Sequence, residues 1–315
     1  MRAIIVNTPG GSSALDHTEV PDPVPGDGEV LVEVAASGVN FIDVYQREGR
    51  YPLPTPFVAG SEGAGTISAT GPGVTEFAVG DRVAWANVLG SYAEKQAVPV
   101  EKLVPVPGGL DLDLAAAVLL QGMTAHYLTH STYAVQPGDE VLIHAAAGGM
   151  GLLLTQLAKK RGAHVTATVS SDAKEKLARA AGADVVLRYA DVAANVRKSC
   201  QVVYDGVGAA TFEDSLAALR PRGVLALYGA ASGPVPPFDL QRLNPAGSLF
   251  VTRPTLGHYV ATRAELLERA NDVLGWVADG SLDVAVYHRY PLAEARQAHD
   301  DLEGRKTTGK LLLIP

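Results

Sequence analysis

The run His144-Ala145-Ala146-Ala147-Gly148-Gly149-Met150-Gly151 constrains this chain more than any other stretch. It lies between the apolar Glu140-Val141-Leu142-Ile143 and the amphipathic Leu152-Leu153-Leu154-Thr155-Gln156-Leu157-Ala158. That order predicts a strand, a Gly-rich turn and a helix, the unit that seats a dinucleotide pyrophosphate. Glycine lets the backbone approach the phosphates, and a helix N-terminus offers free N–H groups and partial positive charge. The spacing is Ala-x-x-Gly-x-x-Gly over Ala145, Gly148 and Gly151, one glycine short of the full fingerprint, so its weight depends on the next strand and helix. The uncharged run Val141 to Ala158 raises a membrane span as an alternative, but three glycines and His144 interrupt it. A span needs about 20 more uniformly apolar residues.

His164 to Val169 is rich in β-branched residues and predicts the second strand. Ser170-Ser171-Asp172 comes next as an N-cap cluster, then a helix from Lys174 to Ala181 closed by Gly182. An acid about 20 residues beyond the Gly-rich turn selects NADH by bonding the ribose 2′-hydroxyl. Here Ser170 and Ser171 stand there, with Lys174 one turn on. Hydroxyls and an ammonium suit a 2′-phosphate, which argues for NADPH. Asp172 is the complication: it fits the ribose role, or else a first-turn acid favourable to the helix dipole.

The alternation continues through strands at Asp184–Leu187, Gln201–Asp205, Gly223–Tyr228 and Ser248–Thr252, with a helix at Phe212–Leu219. Strands separated by helices predict a parallel, doubly wound sheet, with ligands at the carboxyl ends of its first and fourth strands. Gly206-Val207-Gly208 falls at that point, as a nicotinamide neighbour or a plain tight turn.

Up to about Leu120 the pattern differs. Short β-rich runs (2–6, 29–35, 65–69, 82–86, 91–98) alternate with Pro/Gly turns and predict a small barrel-like domain. A helix is expected at Asp113–Leu120, another from Arg263 to Ala278 after Thr262, and a shorter one opened by Pro291. The apolar Lys310-Leu311-Leu312-Leu313-Ile314 predicts a strand returning to the first domain. The expected division is therefore 1–122 with 258–315, and 123–257, with the cleft between them as the substrate site.

A formal net charge of −8, from 26 basic and 34 acidic residues, disfavours nucleic acid and anionic membranes as partners. The single Cys200 excludes an internal disulfide and a Cys-based zinc cluster, and reads as a small buried hydrophobe. The N-terminal Met1-Arg2-Ala3-Ile4-Ile5-Val6 turns polar too soon for a signal peptide, so a cytoplasmic protein is expected.

Several motifs, in order, carry a resemblance: Ser37 to Tyr45, Gly60-Ser61-Glu62-Gly63-Ala64-Gly65, His144 to Gly151, Tyr204 to Gly208, Gly247 to Pro254 and Gly304 to Lys310. Together they resemble the zeta-crystallin-like quinone oxidoreductase branch of the medium-chain dehydrogenase/reductase superfamily, over essentially the whole chain. The resemblance implies an α/β protein with a GroES-like β-rich catalytic domain, a Rossmann domain, and zinc-independent, NADPH-dependent reduction of quinones. Zinc-dependent alcohol dehydrogenases of that superfamily carry Cys near Asn40 and Gly-His-Glu near Gly60-Ser61-Glu62. Asn and Ser replace those ligands here, so no metal is expected. The chemistry agrees: reducing a quinone gives a phenolate-like anion of pKa about 10, which needs no Lewis acid.

By this resemblance Asn40, Tyr45, Tyr51 and Thr124 line the nicotinamide. Asn40 would bond cofactor or substrate carbonyl, and a Tyr hydroxyl would donate to the developing oxyanion. Rim packing is the plainer reading of the tyrosines, a helix N-terminal hydroxyl that of Thr124, and Asp43 is expected to be a structural acceptor. Cofactor contacts fall to Ala146, Gly148, Gly149, Met150, Gly151, Val207, Gly229, Phe250 and Val251. At the adenosine end stand Ser170, Ser171, Lys174, Tyr189 and Arg305, the last two on the resemblance alone. Relatives pair across the sheet edge near Phe250-Val251-Thr252, so a homodimer is expected. An enone or 2-alkenal reductase is the alternative on the same scaffold. A non-catalytic NADPH-binding protein is the other, since crystallins of this family accumulate structurally.

Overall fold

The computed structural model describes residues 1–315, which form two compact units. One comprises Met1–Met123 and Val260–Pro315, the other Thr124–Tyr259.

Along the chain the strands of the first stretch are β1 (Arg2–Val6), β2 (Leu15–Glu19), β3 (Glu29–Val39), β4 (Phe57–Val58), β5 (Glu62–Thr70), β6 (Arg82–Ala86), β7 (Lys95–Pro99) and β8 (Leu103–Pro105). Helix α1 (Phe41–Arg47) follows β3 directly. Helix α2 (Leu112–Tyr127) runs across the division between the units. The second unit continues with β9 (Glu140–Ile143), α3 (Gly149–Lys160), β10 (His164–Val169), α4 (Asp172–Ala180), β11 (Val185–Arg188), α5 (Val192–Asn195), β12 (Cys200–Asp205), α6 (Phe212–Ala218), β13 (Leu219–Leu227), β14 (Phe250–Thr252) and α7 (Leu256–Tyr259). The chain then re-enters the first unit as α8 (Arg263–Ala278), β15 (Val286–Pro291), α9 (Ala295–Glu303) and β16 (Lys310–Ile314).

In the second unit the strand order is β11-β10-β9-β12-β13-β14, and every pairing is parallel. This is the doubly wound sheet, with its reversal between β9 and β12. Val141, Leu142 and Ile143 are fully buried, as a central strand covered on both faces must be. In the first unit β3 is the organising strand. It pairs antiparallel with β5, β7 and β16, while β1, β2 and β4 make a separate small sheet. Val30, Val32, Ile67, Val83, Trp85, Val98 and Leu103 pack one core; Ile4, Val6, Tyr92, Leu311 and Leu313 pack another.

Several boundaries differ from the sequence expectation. The helix expected at 113–120 reaches Tyr127 because Gly122 does not break it: a Cβ there would lie 2.5 Å from Val273 Cγ1. The glycine serves close packing. The strand expected from Ser91 starts at Lys95, and that from Ser248 starts at Phe250. The strand expected from Gly223 starts at Leu219, and the helix after Pro291 opens with a tight turn before Ala295. No helix is long and apolar enough to cross a membrane.

Candidate active site

The dinucleotide turn sits at the carboxyl end of β9. Ala145 adopts φ +53°, a left-handed conformation that redirects the chain, and its N–H donates to the Tyr189 hydroxyl at 3.1 Å. Gly148 caps α3 with extended backbone and no side-chain bond, leaving the first-turn N–H groups of Gly149, Met150 and Gly151 for an anion. A Cβ on Gly151 would lie 2.5 Å from Ala146 Cα, so only glycine lets α3 approach this turn. These features fit a pyrophosphate.

Beneath the turn lies a buried polar network that the sequence motifs at His144 and Asp205 touch but do not connect. Asp205, at the end of β12, accepts from the Val207 and Gly208 N–H groups at 2.8 and 3.0 Å, and from the Thr211 and Ser215 hydroxyls at 2.8 Å each. Four donors satisfy the carboxylate and fix the Gly206-Val207-Gly208 turn. The Ser215 hydroxyl gives its proton to Asp205, so His144 Nε2 donates to it at 3.0 Å, and Nδ1 accepts from Thr168 at 2.9 Å. Burial holds His144 below the ordinary imidazole range, against the pull of Asp205. Gly229 follows β13, half-buried, and a Cβ on it would press on Gly206 O at 2.5 Å.

At the end of β10, Ser170 and Ser171 are exposed and Lys174 is half-buried. Ser171 Oγ accepts from Lys174 N at 3.4 Å and caps α4. Asp172 pairs with Arg188 at the end of β11. Tyr189 follows at once, half-buried, its ring stacked near His144 with centroids 6.0 Å apart. Phe250 and Val251 lie on β14, the edge of the sheet, and Phe250 is 60% exposed. Thr124 lies inside α2, half-buried, three residues before its end, which removes the reading as a helix N-terminal hydroxyl.

In the first unit, Asn40 is the N-cap of α1, its backbone N–H donating to Asp43 Oδ2 and its backbone carbonyl accepting from Asp43 N. Its amide is held from every side. Oδ1 accepts from Lys310 Nζ at 2.7 Å and Gln121 Nε2 at 3.3 Å; Nδ2 donates to Glu62 Oε2 at 2.9 Å and Gly38 O at 3.2 Å. Lys310 Nζ also reaches Glu62 Oε2 at 2.5 Å, and Glu62 Oε1 accepts from Leu120 N at 2.6 Å. The side chains of Asn40, Glu62 and Lys310 are all buried. Lys310 has only donors and Glu62, ionised, only acceptors, so together they fix which end of the Asn40 amide is oxygen. A bond from Asn40 to a substrate carbonyl would replace its bond to Gly38 O, the longer of the two Nδ2 makes. A Cβ on Gly38 would lie 2.7 Å from Ala116 O and 2.8 Å from Lys310 Cε, so the cluster tolerates no larger residue there.

Asp43 is a structural acceptor: Oδ2 takes the Asn40 N–H and the Tyr92 hydroxyl, each at 2.9 Å. Burial pushes its carboxyl up to about 6, against the lowering effect of those bonds. Tyr92 leads on to His299 Nε2 at 3.2 Å, and Arg47 meets His299 Nδ1 at 3.2 Å. Arg47 donates, so Nδ1 accepts and Nε2 carries the proton. Burial, aided by Arg47, pulls His299 down to about 3. Tyr45 is buried on α1, its ring edge-on to Tyr51 at 5.6 Å, with Arg50 over its face. Tyr51 is 45% exposed. Only Tyr51 has the exposure that the rim-packing reading expects. Arg305, exposed at φ +55°, follows α9.

Sequence reasoning missed Lys310, Glu62 and Gln121 as partners of Asn40, and Arg188 as the partner of Asp172. The signal for Lys310 was present: one cation opens an otherwise apolar strand, and a buried ammonium needs a partner. No group of three His, Cys, Asp or Glu side chains is arranged to hold a metal ion.

This fold and site define a dinucleotide-dependent dehydrogenase or reductase. Residues 26–108 match the model of the alcohol dehydrogenase GroES-like domain, and 149–272 that of the zinc-binding dehydrogenases. The chain is 45% identical to a quinone oxidoreductase of Pseudomonas aeruginosa over 97% of both chains. It is 43% identical to a 2-haloacrylate reductase of a Burkholderia species, over 99% of this chain and 98% of the relative. A mycobacterial protein solved in complex with NADPH superposes with a TM-score of 0.97 at 50% identity, covering 100% of both chains. The chain belongs to the medium-chain dehydrogenase/reductase superfamily, in its zinc-free quinone oxidoreductase branch.

Proposed function

We propose that the protein is an NADPH-dependent, zinc-independent quinone oxidoreductase. The observation that carries the cofactor class is the uncapped Gly148–Gly151 turn at the carboxyl end of the central strand β9. When bound, NADPH supplies the hydride. Gly148, Gly149, Met150 and Gly151 hold its pyrophosphate, Ala146 lines the turn, and Val207 and Gly229 flank the nicotinamide half. Ser170, Ser171, Lys174, Tyr189 and Arg305 take the adenosine 2′-phosphate end, and Thr124 the carboxamide. Phe250 and Val251, proposed cofactor neighbours by resemblance, are better suited by their exposure to an interface.

In the first unit Asn40 orients the acceptor carbonyl, exchanging its bond to Gly38 O for the new one. Tyr45 or Tyr51 donates to the oxygen as negative charge develops on it. The resulting phenolate, of pKa about 10, leaves without a Lewis acid. The substitution of Asn40 and Ser61 for the ligand-bearing positions of zinc enzymes supports this reading. Loss of nicotinamide absorbance with benzoquinone, phenanthrenequinone and an aliphatic enone offered in parallel tests it. Turnover confined to the enone would assign the chain to activated-alkene reduction instead, a second reading that the similarity to 2-haloacrylate reductase favours.

The protein is further proposed to act in the cytoplasm as a homodimer joined through β14, whose apolar edge would otherwise stand open. Placing lysine at Phe250 and Val251 should convert a dimer to a monomer in sedimentation. An unchanged sedimentation coefficient removes that edge from the interface.

A further inference from the structure

Arg188 ends β11, one residue before Tyr189. The parallel register sets it beside Val169, the last residue of β10, after which come Ser170, Ser171 and the start of α4. Its guanidinium therefore reaches the first turn of α4. It pairs with Asp172 and lies 3.1 Å from Glu175.

The two carboxylates are not equivalent. Glu175 is held independently by Arg179 at 2.9 Å, whereas Arg188 is the one side-chain partner of Asp172, whose side chain is 95% exposed. An exposed pair of this kind adds little to stability. Its position gives it a different consequence. An acid just past the second strand of a doubly wound sheet bonds a ribose 2′-hydroxyl and repels a 2′-phosphate. Asp172 is an acid in that place. A guanidinium against it cancels its charge toward a nearby phosphate and takes up the oxygen that would accept a ribose hydroxyl.

We infer that Arg188 is a coenzyme-specificity residue: by pairing with Asp172 it masks that carboxylate and so admits a 2′-phosphorylated adenosine beside Ser170 and Lys174. This rests on the proposal that the coenzyme is NADPH. The effect is charge compensation rather than a further contact to the phosphate, and that distinction makes it testable.

Parent, Arg188→Gln, Asp172→Asn and the double variant are compared for kcat/KM with NADPH and with NADH, and for binding of each coenzyme by fluorescence titration. Arg188→Gln should lower the NADPH-to-NADH ratio about tenfold, chiefly through KM for NADPH, as an unpaired carboxylate near the phosphate requires. Asp172→Asn alone should hold or raise the ratio. Added to Arg188→Gln, it should return the ratio close to the parent value, a coupling that a double-mutant cycle measures. Arg188→Lys should keep the parent preference, and NADH turnover reports that each variant has folded.

A loss not recovered in the double variant overturns the masking, because Arg188 would then be touching the phosphate itself. An unchanged ratio in Arg188→Gln overturns it as well. Equal use of both coenzymes by the parent, with Lys174→Ala also without effect, would overturn the NADPH reading and the masking with it.

Discussion

Lys310 and Lys174 are the same side chain in two settings. Lys310 is buried in the first unit against Glu62 and Asn40; Lys174 is half-buried at the start of α4 beside exposed serines. Burial makes the first ammonium part of the fold's internal order, since neither it nor Glu62 can exist there without the other. Partial burial leaves the second in reach of solvent, where the proposed 2′-phosphate would meet it. If the proposed NADPH site is right, a cation's surroundings, more than its identity, decide whether it holds the protein together or reads a small molecule.

The largest effect should come from breaking the buried pair. Lys310→Met or Glu62→Ala leaves one uncompensated charge in the core and should cost about 3–5 kcal/mol in denaturant unfolding. The paired replacement Glu62→Gln with Lys310→Met should cost less than either single change. A double variant worse than both singles would show that the cluster's hydrogen bonds, not its charges, are what the fold requires.

The exposed region should behave in the opposite way. Lys174→Ala is expected to weaken NADPH binding by about tenfold or more, leaving NADH binding and the unfolding midpoint nearly unchanged. Equal losses for both coenzymes would remove Lys174 from the phosphate subsite.

A smaller effect sharpens the contrast through pH. Asp43, raised to about 6, binds a proton in the folded state that the unfolded chain releases near pH 4, so its contribution is full below about pH 4 and is lost as pH rises through 6. His299, lowered to about 3, contributes in the other direction: its share is present above about pH 6.5 and is lost as pH falls toward 3. The two slopes oppose each other between about pH 4 and 6. Asp43→Asn should therefore make stability fall more steeply on acidification across that window. A parallel pair of stability curves would mean that Asp43 titrates normally.

Much of the second unit was legible in the sequence, because each signal there is local. A Gly-rich turn, a β-branched strand and a serine cap succeed one another within about 30 residues, the length of a βαβ unit. In the first unit the helix expected after Thr262 also holds at Arg263–Ala278, and the structure adds a capping box from Thr262 to Glu265. The first unit hid more. Of β2 only Leu15 is buried, and Tyr287, His288 and Arg289 leave β15 without alternation, so neither strand announces itself. Helix α1 is short and follows β3 without a turn. The site's supporting residues were harder still, since Asn40, Glu62 and Lys310 meet across 270 positions of sequence and no spacing rule links them. At Arg188 the obstacle was register: only the pairing of β10 with β11 brings it to Asp172.

The discontinuity of the first unit also sets an order of events during synthesis. Residues 124–259 form a contiguous unit and can collapse as they leave the ribosome, as domains generally do. The β3 sheet, by contrast, waits for β16, which is made only after that whole unit. Until then Glu62 has no counter-cation and the Ser37–Val39 end of β3 lacks its β16 partner, although β7 already covers Glu29–Glu33. The nascent chain thus passes through a period with a finished nucleotide-binding half and an open first sheet, when a chaperone has most to protect.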